Sequence, residues 1–87
     1  MLKFPKTVMQ STVDDEMVLM DTKNGEYFGL NKTGTVLLET LLGTQAQDAA
    51  SAIAKAVELF DASGDIIAGD LEKLVEDLVK RKLLVER

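Results

Sequence analysis

The sequence predicts an α+β domain of the winged-helix-turn-helix type, in which a three-stranded antiparallel sheet is followed by three helices. The first observation behind this prediction is Asn24-Gly25, a strong hairpin-turn signal with strand-like residues on both sides. The second is a change to helical spacing of the apolar residues after Leu30. The third is the length of 87 residues, which fits one domain over residues 1–87.

The three predicted strands occupy the first third of the chain. A short apolar run after Pro5 predicts a first strand over residues 6–11. The second strand, residues 16–21, holds four consecutive apolar residues, which indicates cover on both faces, with helices over at least one. The third strand, residues 27–30, is the last before the helices. One edge of the sheet is therefore expected to lack a partner strand.

Three helices are predicted from apolar residues at i, i+3, i+4 spacing. Asn31 suits the N-cap of a first helix over residues 32–42. The second helix begins near Thr44 and carries a single apolar stripe. The third spans about residues 65–82, and its basic last turn suits the negative end of the helix dipole. The apolar tail, residues 83–85, is expected to pack back on the domain.

The composition argues against several classes of protein. With 15 acidic and 10 basic residues, the net charge of −5 repels phosphate backbones and anionic lipid head groups. The chain has no Cys, which excludes disulfides and thiolate metal sites. No apolar run approaches the roughly 20 residues of a membrane span, and no export signal is recognisable at the N-terminus. We therefore expect a cytoplasmic protein with neither nucleic acid nor membrane as partner.

No catalytic or cofactor-binding set of residues is visible in the sequence. The chain contains no His, Cys or Trp, and no general base is placed beside any of its serines, so no enzymatic activity is predicted. Residues 61–72 follow a calcium-loop register at several positions, but Ile66 stands where that loop needs glycine. We therefore predict neither a metal nor another cofactor.

Two features of the predicted fold favour a peptide-binding site. The unpaired edge at residues 26–30 offers main-chain groups to an extended peptide. The third helix has a wider apolar face than one core contact needs, so part of it is available to line a groove beside that edge. A nucleic-acid-binding winged helix is the alternative. Against it, the third helix carries five acids and only four bases over residues 65–82.

The segment Asp15-Glu-Met-Val-Leu-Met-Asp-Thr-Lys-Asn-Gly-Glu-Tyr-Phe-Gly-Leu-Asn-Lys-Thr-Gly34 resembles the PqqD family, together with Leu41-Leu42-Gly43 and the late helix over residues 70–84. Members of that family recognise peptides in pathways that make and modify ribosomal peptides. The resemblance covers nearly the whole chain and implies one PqqD-like peptide-recognition domain. It also implies that the leader segment of a precursor peptide is added as an antiparallel strand between the third strand and the third helix.

The resemblance further implies which residues hold the leader, and the unpaired edge and the wide third helix point to the same positions. On the edge strand they are Glu26, Tyr27, Phe28, Gly29 and Leu30, and on the wall of the groove they are Leu71, Leu74, Val75 and Leu78.

Within the family, Phe-Pro-x-x-Val near the start and Val-Asp-Asp-x-Met-Val-Leu from Val13 are most similar to the stand-alone recognition subunit of lasso-peptide clusters. Such a subunit, expected here as a monomer, presents the leader to a separate leader peptidase of the cysteine-protease type. A subunit that delivers its precursor to a radical-SAM enzyme, as in pyrroloquinoline quinone synthesis, has a similar core and stays open as an alternative.

Overall fold

The computed structural model describes residues 2–42 and 48–86. Three consecutive strands form one antiparallel sheet in chain order, and the three helices follow it in the chain. The predicted α+β fold is therefore confirmed. In chain order the elements are β1 (Leu2–Lys3), β2 (Val8–Val13), β3 (Glu16–Asp21), β4 (Glu26–Gly29), α1 (Lys32–Leu42), α2 (Ala49–Phe60), α3 (Gly64–Lys80) and β5 (Val85–Glu86).

Strands β1 and β5 are additions to the predicted fold. They pair antiparallel with each other, with Leu2 opposite Glu86. Each is two residues long, which is too short for the alternation of apolar and polar residues from which a strand is predicted. The tail before β5 packs back as expected, because Leu83 and Leu84 are buried in the core.

The ends of several elements differ from the predicted ones. The first strand of the sheet starts two residues later than predicted and runs on to Val13. The third helix starts at Gly64 and ends at Lys80, where the predicted range was 65–82. The predicted start of the second helix at Thr44 lies outside the described residues.

The two hairpins of the sheet use different turns. Asp14 and Asp15 alone connect β2 to β3, and their φ angles of 51° and 65° are those of a two-residue type I′ turn. Four residues connect β3 to β4, and within that connection only Gly25 has a positive φ, of 69°. The hairpin predicted at Asn24-Gly25 is present. The tight two-residue turn, however, lies at the aspartates, whose short polar side chains tolerate the left-handed region.

Asp21 holds the connection between β3 and β4. Its carboxylate accepts hydrogen bonds from the Asn24 side-chain amide at 2.8 Å and from the Lys23 N–H at 3.0 Å. These bonds stabilise the ionised form, so the pKa of Asp21 lies below its ordinary value of 3.8, with the Asn24 side chain as the largest cause. The turn is therefore stabilised by an ionised Asp21.

The start of α1 is tied to the central strand of the sheet. Asn31 Oδ1 accepts the Gly34 N–H at 2.8 Å, which confirms the predicted N-cap. The Thr35 hydroxyl donates to the Asn31 carbonyl at 2.8 Å and accepts the Met17 N–H, also at 2.8 Å. Because Thr35 is only 3% exposed, its bond to β3 is made away from water.

Thr35→Val should lower the free energy of unfolding by about 1–3 kcal/mol, because the buried Met17 N–H would lose its acceptor. Thr40→Val is the matched control. Thr40 is also buried, but its hydroxyl only donates to the Val36 carbonyl within α1, so its removal leaves no N–H unpaired. Urea unfolding followed by circular dichroism measures both variants. Equal losses in the two would contradict a special contribution from the Met17–Thr35 bond.

The hydrophobic core has two parts. One lies between the inner face of the sheet, α1, α3 and the tail, and its fully buried members are Leu19, Leu38, Leu78 and Leu84. The other joins the three helices to each other through Leu37, Ala52, Ala56, Ile67 and Leu71. The sheet and the helices thus form two layers, and β4 lies at the margin of the first layer.

The outer face of the sheet is open to solvent. Met9 and Tyr27 on this face are 58% and 69% exposed, while Val18 and Met20 between the neighbouring strands are half-buried. The expectation of cover on both faces of β3 is therefore wrong. Lateral contact with β2 and β4 shields the outward side chains of the central strand enough to permit apolar residues there.

Candidate functional site

The outer edge of β4 carries main-chain groups without a strand partner. β4 pairs with β3 on one side, and within residues 2–42 and 48–86 no strand pairs with its other side. The Leu30 N–H donates to the Met17 carbonyl at 2.8 Å. Because hydrogen-bonded pairs alternate along an antiparallel ladder, the main-chain groups of Phe28 face β3, and those of Tyr27 and Gly29 face away from it.

A groove runs between this edge and α3, with a volume of about 350 Å³. One wall is the edge of β4, the floor comes from the start of α1, and the other wall is the middle of α3. The lining residues are Phe28, Gly29, Leu30, Asn31, Thr33, Gly34, Leu37, Asp70, Lys73, Leu74 and Asp77. The groove is thus apolar in its depth and charged along the rim that α3 provides.

Gly34 brings α1 and α3 close together at the floor of the groove. A Cβ atom on Gly34 would lie 3.3 Å from Leu74 Cδ2 and 3.2 Å from Asn31 Oδ1. Only a residue without a side chain leaves Leu74 in its position and keeps the N-cap bond of Asn31 in place. The sequence Leu30-Asn-Lys-Thr-Gly34 therefore fixes both the helix start and the depth of the groove.

Arg81 connects the end of α3 to β4. Its Nε donates to Asp77 Oδ1 at 3.1 Å, and its guanidinium carbon lies 5.0 Å from the centre of the Phe28 ring. Both partners of the ion pair are about half exposed, so the pair adds little to stability. The position of the Arg81 guanidinium over the Phe28 ring adds a contact between the end of α3 and β4 at this end of the groove.

The structure brings together the predicted edge residues and one of the predicted wall residues. Phe28, Gly29, Leu30 and Leu74 line the groove, and Glu26 and Tyr27 continue the same edge. The other predicted wall residues lie elsewhere. Leu78 is fully buried in the sheet core, and Leu71 and Val75 line a separate apolar surface depression of about 500 Å³ between the helices and β1.

Three charged residues of α3 line the groove without having been predicted for it. Asp70, Lys73 and Asp77 follow one another at i, i+3 and i+7, which places them on the same face as Leu74. That spacing is visible in the sequence. What the spacing alone does not show is which face of α3 points towards β4.

In the described ranges no three His, Cys, Asp or Glu side chains are close enough to hold a metal ion together. In the same ranges, no helix combines the length and apolar character needed to cross a membrane.

Comparison with known families identifies a match over most of the chain. The model of the family described as Coenzyme PQQ synthesis protein D (PqqD) matches residues 16–84 of this chain. No curated protein sequence matches the chain.

Two solved structures share the fold. The structure of TbiB1 in complex with the TbiA(beta) leader peptide is 22% identical in sequence, with a TM-score of 0.81 over 98% of this chain and 96% of that one. The structure of a lasso peptide synthetase B1 complexed with the leader peptide is 21% identical, with a TM-score of 0.84 over 98% of both chains. At these identities the likeness establishes a common fold over the whole domain.

Proposed function

Since the chain belongs to the PqqD family, we propose that it binds the leader segment of a ribosomally synthesised precursor peptide. The observation that carries this proposal is the unpaired edge of β4 beside the groove between β4 and α3. An extended peptide adds to such an edge as a further strand. The domain contributes binding and positioning, while the bond-making and bond-breaking steps belong to partner enzymes.

The main-chain groups of Tyr27 and Gly29 are the attachment points of the added strand. In an antiparallel arrangement each of these residues exchanges an N–H and a C=O bond with the peptide residue opposite. The peptide residues opposite Phe28 and Leu30 then direct their side chains towards α3, because side chains alternate between the two faces. Leader residues at alternate positions would therefore enter the groove.

The groove selects among the peptides that the edge can bind. Phe28 and Leu74 offer apolar contacts, and Asp70, Lys73 and Asp77 offer charged ones at the rim. A strand of four to six residues with two or three anchors would give about −8 to −10 kcal/mol, a dissociation constant of roughly tens of nanomolar to micromolar.

The solved proteins of the same fold support a leader peptide as the ligand, because both were captured with one. The description of one of them as a lasso peptide synthetase B1 favours a finer proposal, in which this domain, as a cytoplasmic monomer, presents the leader to a cysteine-protease-like leader peptidase. Binding would raise the effective concentration of the cleavage site near that enzyme. The description of the family as a coenzyme PQQ synthesis protein favours the second candidate, delivery of a precursor to a radical-SAM enzyme.

The test is a titration of this protein with fluorescein-labelled leader peptides encoded beside its gene, followed by fluorescence anisotropy. Each peptide is then prepared with single N-methyl groups along its backbone. We expect N-methylation to weaken binding about tenfold at every second residue, where the N–H faces β4, and to have little effect in between.

Two outcomes would contradict strand addition: no binding by any of these leaders, or equal sensitivity to N-methylation at all positions. Salt provides the control against nucleic-acid-like binding. Strand addition around apolar anchors should change little between 50 and 200 mM salt, whereas phosphate contacts lose several orders of magnitude in affinity over this range.

A further inference from the structure

Gly29 is the only residue of β4 whose side-chain position faces the outer surface and is empty. Phe28 packs against the core and Leu30 is buried, so both face the helices. Side chains alternate along a strand, which places Tyr27 and Gly29 on the opposite, outer face. Gly29 is also one of the two residues whose main-chain groups face away from β3.

The fold itself does not require glycine at this position. A Cβ atom built on Gly29 would meet no atom within 4 Å, in contrast to Gly34. Its φ is not in the left-handed region, in contrast to Gly25 at +69°. Glycine within a strand costs roughly 0.5–1 kcal/mol relative to alanine, so folding alone would favour a side chain here.

The surface beside Gly29 is apolar at Val18 and towards Met20 and Tyr27, while Glu16 lies on the other side of Val18. Val18 lies opposite it on β3 and is half-buried. The next pair of residues along the same face is Met20 and Tyr27, the latter 69% exposed. Glycine in a strand often marks a place where a ligand approaches closely, and an aromatic side chain on the neighbouring strand can cover the gap that glycine leaves.

We infer that Gly29 forms the floor of a leader subsite on the outer face of the sheet, and that this subsite takes a large apolar or aromatic side chain. The inference rests on the proposed function, because the side chain belongs to the leader residue opposite Gly29 in the added strand. In the antiparallel arrangement that residue exchanges main-chain bonds with Gly29, so its side chain points to the outer face, as the position of a side chain on Gly29 would. It lies across Gly29 against Val18, with Tyr27 beside it.

Side chains of the leader thus contact this domain on both faces of the extended sheet. Alternate residues enter the groove beside α3, and the residue between two of them covers Gly29 on the other side. A side chain at position 29 would fill the space over Val18 and keep the leader side chain away from it. Binding would then lose its sensitivity to the size of that leader residue.

The experiment is a double-mutant cycle between position 29 and the leader, with the fluorescein-labelled leader encoded beside the gene of this chain as the probe. Each leader residue in turn is replaced by alanine, and binding is measured to the unchanged protein, Gly29→Leu and Gly29→Ala. Ser11→Leu is the matched control, since Ser11 lies in the same cross-strand row but on the far strand β2. Circular dichroism melting confirms that each variant is folded.

We expect one large, outward-facing leader residue to contribute strongly to binding. Its replacement by alanine should weaken binding to the unchanged protein about tenfold, but should weaken binding to Gly29→Leu less than about twofold. Ser11→Leu should keep the full tenfold effect, and Gly29→Ala should be intermediate. Gly29→Ala carries the test if Gly29→Leu does not fold, because the space around its Cβ atom is empty.

The subsite would be contradicted if, at every leader position, replacement by alanine lowered the affinity equally for the unchanged protein and the Gly29 variants. Leader binding itself would remain supported. A leader that does not bind the unchanged protein would overturn the proposed function, and the subsite with it.

Discussion

Leu74→Asp should abolish leader binding, raising the dissociation constant at least about 100-fold, which corresponds to about 2.7 kcal/mol. Leu74 lines the groove between α3 and β4 and is half-buried there, with its Cδ2 atom close to Gly34 on the floor. A carboxylate at this position would have to lose water when the leader covers it, and the exposed Lys73 on the rim is the one cation among the residues that line the groove. It would also add a third negative charge beside Asp70 and Asp77.

The control for this variant is Val79→Asp on the same helix. Val79 is 41% exposed and does not line the groove, so the same acidic group at this position should leave affinity within about twofold. Circular dichroism melting of both variants separates loss of binding from loss of structure. Unchanged leader affinity in a folded Leu74→Asp protein would remove α3 from the binding site.

Leu78→Ala should have the largest effect on stability, lowering the free energy of unfolding by about 3–5 kcal/mol. Leu78 is fully buried in the sheet core beside Leu19 and Leu38. Removal of its side chain leaves a cavity that the rigid elements around it fill only in part. A domain of this size has roughly 5–10 kcal/mol to lose, so the variant should be marginally folded at 37 °C.

Urea unfolding measures the effect, and Leu59→Ala is the matched control. Leu59 is 57% exposed on α2, so the same truncation there should cost less than about 1 kcal/mol. Leader affinity of Leu78→Ala, measured where the variant is still folded, should equal that of the unchanged protein. A weakened affinity in the folded variant would instead support the prediction from the sequence that Leu78 belongs to the binding site.

The order of the helices and the open edge could be predicted because both follow from local patterns. The spacing of leucines after Asn31 defines α1, and the N-cap bond to Gly34 forms as the sequence indicates. The turn residues before β4 predict the hairpin. No further strand pattern follows Leu30, which predicts that β4 is the last strand of its sheet, as observed. These signals lie within a few residues of the structure they specify.

The wall of the groove could be predicted only in part, because it depends on how α3 is rotated against the sheet. Leu71, Leu74 and Leu78 are spaced alike in sequence, and any of them fits an apolar face of the helix. Leu78 packs in the same core as Leu19, and Leu71 packs among the helices, so Leu74 is the one of these three leucines that lines the groove. Pairing of Leu2 with Glu86 likewise joins residues too distant in sequence for any local signal.

The outer edge of β4 also affects the solubility of the domain. If two copies paired through this edge, they would form a continuous sheet, the arrangement from which fibrous aggregates grow. Each copy carries a net charge of −5, so their approach is opposed by like-charge repulsion. A bound leader would occupy the same hydrogen-bonding groups, and the precursor would then act as a chaperone of its own receptor against self-association.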